Sequence, residues 1–222
     1  GVAFGEVPQV DVIIMAGGKG TRLLPLTENL PKPMVRVAGK PILEHIILHL
    51  ISCQIREFNF AVNHLSEQIS DYFKDGSQYG CKINYLHEDE PLGPGGALKL
   101  LKQLEPKPVL AMNGDLITQL DVGKMQKDHR SRGKSLTVGV RDYEVNIPYG
   151  VMKSDGFELT SVQEKPVEHY LINAGIYMIE PKLIEAVPDS GNYPMTELIE
   201  YCLQNKLKVG VYLVDGDWVD VG

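Results

Sequence analysis

A glycine-rich segment near the start of the chain has the residue types that bind phosphate groups. The segment Ala16-Gly17-Gly18-Lys19-Gly20-Thr21-Arg22 follows a strand-like apolar run, and glycines let backbone N–H groups converge closely on an anion. Lys19 and Arg22 add positive charge, so the pattern favours a polyphosphate ligand. It is neither a P-loop, because G-x-x-x-x-G-K is missing, nor a dinucleotide-binding motif, because Leu23 stands where G-x-G-x-x-G needs its last glycine.

A second feature makes an ordinary tight turn the less favoured interpretation of these glycines. In the segment Pro31-Lys32-Pro33-Met34, Lys32 lies ten residues beyond Arg22. The two prolines restrict the backbone around Lys32, which confines its ammonium group to a narrow region of space. We therefore expect Lys32 to lie at the same anion site as the glycine-rich segment.

The elements that must position these residues alternate between strand and helix periodicity through residues 10–141. This alternation predicts βαβ units and one mostly parallel sheet with helices on both faces. The predicted strands are 10–15, 58–62, 83–86, 109–112 and 136–140. The predicted helices are 42–53, 65–73, 98–104 and 122–130. Asp115 follows the fourth strand, and ligands of open α/β sheets bind at the carboxyl ends of strands, so Asp115 is expected to face the site.

The second half of the chain has a different pattern. Short strands are predicted at 149–153, 159–164 and 172–179, and helices near Pro181 and Met195. We expect a smaller β-rich lid that elaborates the sheet, so that residues 10–222 form a single α/β domain. Residues 1–9 have no periodicity and are interpreted as an expression remnant or as the end of a linker from an upstream domain.

The composition excludes several classes of function. The chain has 222 residues, 43% of them hydrophobic, a net charge of −7 and a pI near 5.4. It has no run of five like charges, so the basic surface that binds nucleic acid is missing. No stretch approaches the ~18 apolar residues of a membrane span, and no signal peptide is visible. We therefore expect a cytoplasmic protein with no nucleic-acid or membrane partner.

Six motifs, in order along the chain, resemble those of the sugar nucleotidylyltransferases, which include thymidylyl-, guanylyl- and uridylyltransferases acting on sugar 1-phosphates. The first is AGGKGTRLLPLT followed by PKPMV. The others are Asn113-Gly114-Asp115, Tyr149-Gly150-Val151, Glu164-Lys165-Pro166, Asn173-Ala174-Gly175-Ile176-Tyr177 and Trp218-Val219-Asp220-Val221-Gly222. The resemblance implies a Rossmann-like fold, and it divides the domain into a nucleotide-binding part, 10–141, and a sugar-binding part, 142–222.

The resemblance also implies an activity and its residues. A nucleoside triphosphate and a sugar 1-phosphate would give a nucleotide-sugar and pyrophosphate with Mg²⁺ as cofactor. Arg22, Lys32 and Asp115 would be catalytic, and Asp115 and Asp220 would bind Mg²⁺. The residues assigned to the nucleotide are Ala16, Gly17, Gly18, Gly20, Thr21, Glu88, Gly93 and Asn113. Those assigned to the sugar phosphate are Gly150, Glu164, Lys165 and Asn173, although Glu164 and Lys165 could instead form an ordinary salt bridge.

The choice of base is predicted from Glu88, which stands where thymidylyl relatives carry a base-reading glutamine. A carboxylate only accepts hydrogen bonds, and guanine offers two adjacent donors, so GTP is favoured. The alternatives are a UTP- or dTTP-dependent enzyme, in which Glu88 belongs to a solvated acidic loop, and a non-catalytic regulatory homologue that binds nucleotide-sugar. A cytidylyltransferase acting on a polyol or choline phosphate fits the later motifs less well. The sequence leaves the sugar and homo-oligomerisation open.

Overall fold

The computed structural model describes residues 7–102 and 105–221. The strands are β1 (Asp11–Met15), β2 (Arg36–Val37), β3 (Lys40–Pro41), β4 (Glu57–Val62), β5 (Lys82–His87), β6 (Val109–Asn113), β7 (Leu116–Thr118), β8 (Leu136–Asn146), β9 (Val151–Asp155), β10 (Glu158–Gln163), β11 (Val167–Ile179), β12 (Val209–Leu213) and β13 (Trp218–Asp220). The α-helices are α1 (Ile42–Ser52), α2 (Ser66–Phe73), α3 (Gly93–Gly96), α4 (Val122–Ser131), α5 (Pro181–Ile184) and α6 (Met195–Gln204). Short 3₁₀ turns are formed by Thr21–Leu23, Lys32–Met34, Ser77–Tyr79 and Ala97–Leu100.

Helix α1 shows how the apolar pattern produces the packing. Pro41 immediately precedes it, and Ile42, Leu43, Ile47 and Leu50 on its apolar stripe are all fully buried. Burying each of these side chains contributes roughly 1.5–3 kcal/mol, so the stripe fixes the helix on the sheet. The helix was predicted from this stripe, and the prediction is confirmed.

The central sheet has seven strands in the order β12-β8-β11-β6-β1-β4-β5. Four of its six neighbouring pairs are parallel, and β11 runs antiparallel to both of its neighbours. Both faces are covered, because Val12 and Ile14 of β1 pack in one buried cluster and Ile13 packs in the other. The predicted fold class, a mostly parallel Rossmann-like sheet with flanking helices, is confirmed.

Strands from the second half complete this sheet. β8, β11 and β12 lie at one side of it, whereas β9 and β10 pair only with each other and form a separate antiparallel hairpin. β13 pairs with β7, which brings the end of the described chain beside the segment that follows β6. The lid outside the sheet is therefore smaller than residues 142–222, and the division at residue 141 stays a prediction.

Several predicted boundaries are wrong. The helix predicted at 98–104 is only the 3₁₀ turn Ala97–Leu100, which ends in an extended Leu101, while residues 103 and 104 lie outside the described residues. β8 continues six residues beyond the predicted end at Val140, because β11 pairs with it as far as Asn146.

Two further predictions fall on residues that the structure does not describe. Residues 1–6 of the expected remnant 1–9 lie outside the described residues, and so does Gly222 of the last motif. No helix in the described ranges combines the length and apolarity needed to cross a membrane.

Candidate active site

The glycine-rich segment leaves the sheet at the carboxyl end of β1. The N–H of the buried Ala16 donates to the carbonyl of Ala61 at 2.8 Å, so the segment starts from a fixed point. Gly20 adopts φ +65°, and a Cβ there would lie 2.7 Å from Thr27 Cγ2 and 3.0 Å from Lys32 Cβ. A side chain at position 20 would therefore be strained and would collide with its neighbours. Glycine lets the segment approach the stem of Lys32 closely.

A cavity of about 480 Å³ opens at this edge of the sheet. The predicted site residues that line it are Gly17, Gly18, Gly20, Thr21, Arg22, Lys32, Glu88, Gly93, Asn113 and Asp115. Lys19, whose charge was expected to favour a polyphosphate, also lines it. The lining residues to which sequence reasoning gave no role are Met15, Pro33, Asn63, Pro91, Pro94, Gly114 and Asn192. The predicted residues outside the lining are Ala16, Gly150, Glu164, Lys165, Asn173 and Asp220. The structure thus brings together most of the nucleotide-binding and catalytic residues that were predicted.

The cation and the carboxylate predicted to be catalytic are in direct contact. Lys32 Nζ lies 2.6 Å from Asp115 Oδ2, although 83 residues separate them in the chain. The Lys32–Met34 turn holds the lysine, because the N–H groups of Met34 and Val35 donate to the carbonyls of Pro31 and Lys32 at 2.9 and 3.1 Å. The two side chains are only 16% and 23% exposed, so solvent screens this ion pair weakly.

Backbone contacts fix Asp115 and place Asp220 nearby. The Gly114 N–H donates to the Met15 carbonyl at 2.9 Å, and the Val221 N–H donates to the Asp115 carbonyl at 3.1 Å. In the antiparallel pair β13–β7, Asp220 lies opposite Leu116, the residue that follows Asp115. The two carboxylates predicted to bind metal therefore come from adjacent backbone positions, although Asp220 lies outside the cavity lining.

We predict that Gly114→Ala destabilises the protein. A Cβ at this position would lie 2.5 Å from the Met15 carbonyl oxygen, and backbone cannot move aside as a flexible side chain can. The expected loss is about 1–3 kcal/mol of unfolding free energy, as for other overpacked positions. Thermal and urea unfolding measure it. Gly18→Ala is the matched control, because its Cβ would meet nothing within 4 Å; equal stability losses in the two variants would contradict the prediction.

Asn113 has an unused acceptor at the edge of the cavity. Its Oδ1 is buried and has no hydrogen-bond partner among the described residues. Its Nδ2 would lie 2.6 Å from a Cβ at Gly175, which adopts φ +73°. Because leaving a buried polar atom unpaired costs about 1–3 kcal/mol, this oxygen is suited to accept a hydrogen bond from a bound ligand. That arrangement supports the predicted contact between Asn113 and the nucleotide, which stays a prediction.

Asn173 makes its own hydrogen bonds within β11. Its Oδ1 accepts from the Gly175 N–H at 2.8 Å, and its Nδ2 donates to the Tyr177 hydroxyl oxygen at 2.7 Å. The pairing of β11 with β8 is interrupted between Asn173 and Tyr177. Asn173 thus supports the bend that carries Gly175 against Asn113, and its predicted contact with the sugar phosphate stays a prediction.

Glu88 lies beside the glycine-rich segment in the wall of the cavity. It follows β5, and its N–H donates to the Val62 carbonyl at 3.0 Å. A Cβ at Gly17 would lie 2.9 Å from Glu88 Oε2. Burial raises the pKa of the Glu88 carboxyl, and a hydrogen bond with Asn63 opposes this rise. The carboxyl group is therefore a half-buried part of the cavity wall, which argues against a fully solvated acidic loop.

Asn192 reaches the cavity from the second half of the chain. Gly93 adopts φ +73°, and a Cβ there would lie 2.5 Å from Asn192 Oδ1. The neighbouring Tyr193 ties the two segments together, because its N–H donates to the Leu92 carbonyl at 2.7 Å and its carbonyl accepts from the Gly96 N–H at 3.0 Å. Sequence reasoning missed Asn192, and only the closely spaced glycines after Leu92 hinted that another segment approaches there.

The remaining residues predicted for the sugar phosphate lie beside the β9–β10 hairpin. A Cβ at Gly150 would lie 3.3 Å from Glu164 Oε2, so these two residues are neighbours. Gly150, Glu164 and Lys165 are all exposed, and Lys165 adopts φ +43°. No Glu164–Lys165 salt bridge occurs among the ion pairs of the described residues. Their role in binding sugar phosphate stays a prediction.

Comparison with known proteins identifies the family. Residues 11–222, nearly the whole chain, match the family described as nucleotidyl transferase. The chain belongs to the nucleotidyl transferase family. This membership confirms the resemblance that the six motifs carry.

Related nucleotidyl transferases differ in the nucleotide that they are named for. The chain is 32% identical to a UTP–glucose-1-phosphate uridylyltransferase from Synechocystis sp., with 95% of this chain and 59% of the relative covered. It is 34% identical to a mannose-1-phosphate guanylyltransferase catalytic subunit beta from Drosophila pseudoobscura pseudoobscura, with 95% and 58% covered. The chain therefore spans a little over half the length of these curated relatives.

A solved structure of another protein, HddC, has a similar length and fold. HddC from Yersinia pseudotuberculosis, crystallised in complex with GMP-PN, superposes with a TM-score of 0.74 at 25% sequence identity. The match covers 96% of this chain and 93% of HddC.

Proposed function

We propose that this chain transfers a nucleotidyl group from a nucleoside triphosphate to a hexose or hexosamine 1-phosphate, releasing pyrophosphate. The observation that carries the proposal is the direct contact between Lys32 and Asp115 at 2.6 Å, in the wall of a cavity that the glycine-rich segment also lines. A glycine cradle, two cations and a carboxylate are the groups that phosphoryl-type transfer requires. Two relatives support it, because one is named for uridylyl transfer to glucose 1-phosphate and the other for guanylyl transfer to mannose 1-phosphate.

The proposed mechanism needs no general base from the protein. The nucleophile is the phosphate of the sugar, which is largely dianionic at neutral pH because its second pKa is about 6. Backbone N–H groups of Gly17 and Gly18 would hold the triphosphate, and Arg22 and Lys32 would neutralise charge on the transferring α-phosphate. The protein positions the two substrates in line and stabilises the charge that develops.

The carboxylates fit a divalent metal ion. Asp115 offers hard oxygen ligands inside the cavity and already pairs with the Lys32 ammonium, while Asp220 comes from the adjacent strand β13. Mg²⁺ is commonly held by one or two carboxylates together with substrate phosphates. We propose that Asp115 and Asp220 hold it, and that the bound ion neutralises phosphate charge as a Lewis acid.

The sugar side is proposed to lie in the second half of the chain. Gly150 gives close access to backbone, Glu164 and Asn173 can hydrogen-bond sugar hydroxyls, and Lys165 can pair with the phosphate. The position of the Glu164 carboxylate beside Gly150 supports a shared role for these two residues. Asn192, which lines the cavity from this half of the chain, would contact the nucleotide.

The activity can be tested with a substrate matrix. Pyrophosphate release is measured for each of five nucleoside triphosphates with several hexose and hexosamine 1-phosphates, in the presence of Mg²⁺. The proposal expects turnover for at least one pair and none without the sugar phosphate. Binding of nucleotide-sugar without release of pyrophosphate from any pair would instead identify a regulatory homologue.

We propose GTP as the nucleotide, with Glu88 as the residue that reads guanine. The support is its position in the cavity wall beside Gly17. The relatives include both guanylyl- and uridylyltransferases, so UTP or dTTP is the alternative. HddC bound a guanine nucleotide analogue in its crystal structure, and its fold matches this chain closely.

Glu88→Gln is expected to lower the preference for GTP over UTP by about tenfold, the effect of one lost hydrogen bond to a charged acceptor. Burial raises the pKa of Glu88, so its ionised form exists above that raised pKa and is lost as the pH falls through it. KM for GTP should therefore rise on acidification at a higher pH than for an ordinary glutamate, and the variant should lose this dependence.

The measurement is the ratio of KM for GTP to KM for UTP between about pH 4 and pH 8, a range that includes the ordinary glutamate pKa of about 4.3 and values above it. The ratio cancels the titration that the two triphosphates share. Asp89→Asn is the matched control, because this neighbouring acid is exposed and lies outside the cavity lining. If UTP is used as well as GTP, or if Glu88→Gln keeps the preference of the native protein, Glu88 does not read the base.

A further inference from the structure

The Lys32–Asp115 ion pair is the most enclosed lysine–carboxylate pair in the described part of the chain. Its atoms are 2.6 Å apart, and its side chains are 16% and 23% exposed. In the other lysine pairs each side chain is at least a quarter exposed. Charges that are partly withdrawn from water attract more strongly than charges on the surface. This pair is therefore a strong local interaction inside the cavity.

The proposed function requires both partners to bind something else. Asp115 must give an oxygen to a divalent cation, and Lys32 must reach a phosphate oxygen. A cation such as Mg²⁺ lies about 2.0–2.1 Å from its oxygen ligands. An ammonium on the same carboxylate oxygen would then lie within a few ångströms of the divalent ion, and the two positive charges would repel each other strongly. Asp115 also has a second oxygen, Oδ1, but two cations on one carboxylate repel each other whether they share an oxygen or take one each, so binding of one weakens binding of the other.

The fold allows Lys32 to leave Asp115 without moving its backbone. The backbone is fixed by the Lys32–Met34 turn and by the close approach of its Cβ to Gly20. The ammonium, however, stands at the end of a flexible four-carbon stem. Because Lys32 and the glycine-rich segment line the same cavity, a rotation of the stem can redirect the ammonium within it.

We propose that Lys32 and a divalent cation bind Asp115 alternately, so that Lys32 leaves the carboxylate when the cation binds and turns to the phosphate groups. This inference rests on the proposed function. Before the cation binds, Lys32 is the counter-ion of Asp115. The exchange lowers the affinity of the nucleotide-free protein for the cation, and it couples arrival of the cation to release of the lysine.

The test measures Mn²⁺ binding without nucleotide, using the EPR signal of free Mn²⁺. Lys32→Met keeps the length of the side chain and removes its charge, so it should bind Mn²⁺ about tenfold more tightly than the native protein, within the usual range of coupling between two ligands. Lys32→Arg keeps a competing cation and should stay within about twofold of the native affinity. The double variant Lys32→Met/Asp115→Asn should lose the gain.

A second group of exposed ligands needs its own control. Asp142, Glu144 and His169 have ligand atoms within 4.8 Å of one another and could also hold Mn²⁺. The gain from Lys32→Met should therefore be measured again in a His169→Ala background, where it should persist. Circular dichroism and thermal unfolding confirm that each variant is folded, and Lys32→Gln replaces Lys32→Met if the latter is not.

Three outcomes overturn the exchange. They are an unchanged Mn²⁺ affinity in the folded uncharged variants, a gain that survives Asp115→Asn, and no measurable Mn²⁺ binding even without the lysine charge. Failure of the proposed function gives a different result. Tighter Mn²⁺ binding in Lys32→Met, together with no pyrophosphate release by the native protein from any substrate pair, supports the exchange and rejects the transferase. Metal-dependent turnover by the native protein with unchanged Mn²⁺ affinity in Lys32→Met rejects only the exchange.

Discussion

Asp115→Asn and Asp220→Asn are each expected to lower turnover at least ~100-fold, the scale on which losing a transition-state charge clamp acts. An asparagine keeps the size of the side chain but loses the negative charge that holds a hard cation. Asp115 lies in the cavity wall, and Asp220 is on the paired strand β13, so the two changes weaken the proposed site from different segments.

The measurement is steady-state pyrophosphate release at several Mg²⁺ concentrations, with thermal unfolding to show that each variant is folded. Asp217→Asn is the matched control for the charge change, because Asp217 is exposed and lies only three residues before Asp220. Near-normal turnover in a folded variant would remove that aspartate from the site.

The two variants should differ in their effect on Lys32. Asp115→Asn also removes the partner of the lysine ammonium, which frees Lys32 to move before any cation binds. Asp220→Asn leaves that ion pair in place. Because Asp115 also holds Lys32 and Asp220 does not, raising the Mg²⁺ concentration should rescue Asp220→Asn more than Asp115→Asn. Equal rescue would mean that both carboxylates act only through the cation.

The sequence predicts the fold well because periodic apolar residues determine which face of an element is buried. The stripe of α1 and the buried run of β1 are examples of patterns that remain visible in a single sequence. The errors occur where tertiary pairing determines the boundary. β8 continues to Asn146 because β11 lies beside it, and no local pattern reveals that partner.

Some features of the site were predicted from the sequence and others were not, for a similar reason. Gly20 and Lys32 belong to compact motifs, so their residue types and spacing were enough to bring them to one cavity. Asn192 lines the cavity because hydrogen bonds join the segments around Leu92 and Tyr193, which are distant in sequence, and no local pattern predicts this pairing. The contact of Lys32 with Asp115 could not be predicted either, because the sequence assigns each residue a ligand and says nothing about which partner it holds before the ligand binds.

Arg22→Ala and Lys32→Ala are each expected to lower kcat by about 100-fold or more, with a smaller change in KM. In phosphoryl-type transfer, negative charge spreads over the transferring group as the transition state forms, so a cation placed there stabilises the transition state more than the bound substrate. Arg22 is exposed and lines the cavity, and Lys32 is partly buried in its wall. Both can therefore reach a phosphate bound over the glycine-rich segment.

Separate determination of kcat and KM for the nucleoside triphosphate distinguishes transition-state stabilisation from simple substrate binding. Losing an interaction made only in the transition state lowers kcat and kcat/KM equally. Arg36→Ala is the control for loss of a positive charge, since Arg36 is exposed outside the cavity and donates to the Gly39 carbonyl at 2.8 Å. Lys32→Ala should in addition reach half-maximal rate at a lower metal concentration than Arg22→Ala, because only Lys32 competes with the cation for Asp115. A change confined to KM would reassign Arg22 and Lys32 to simple substrate binding.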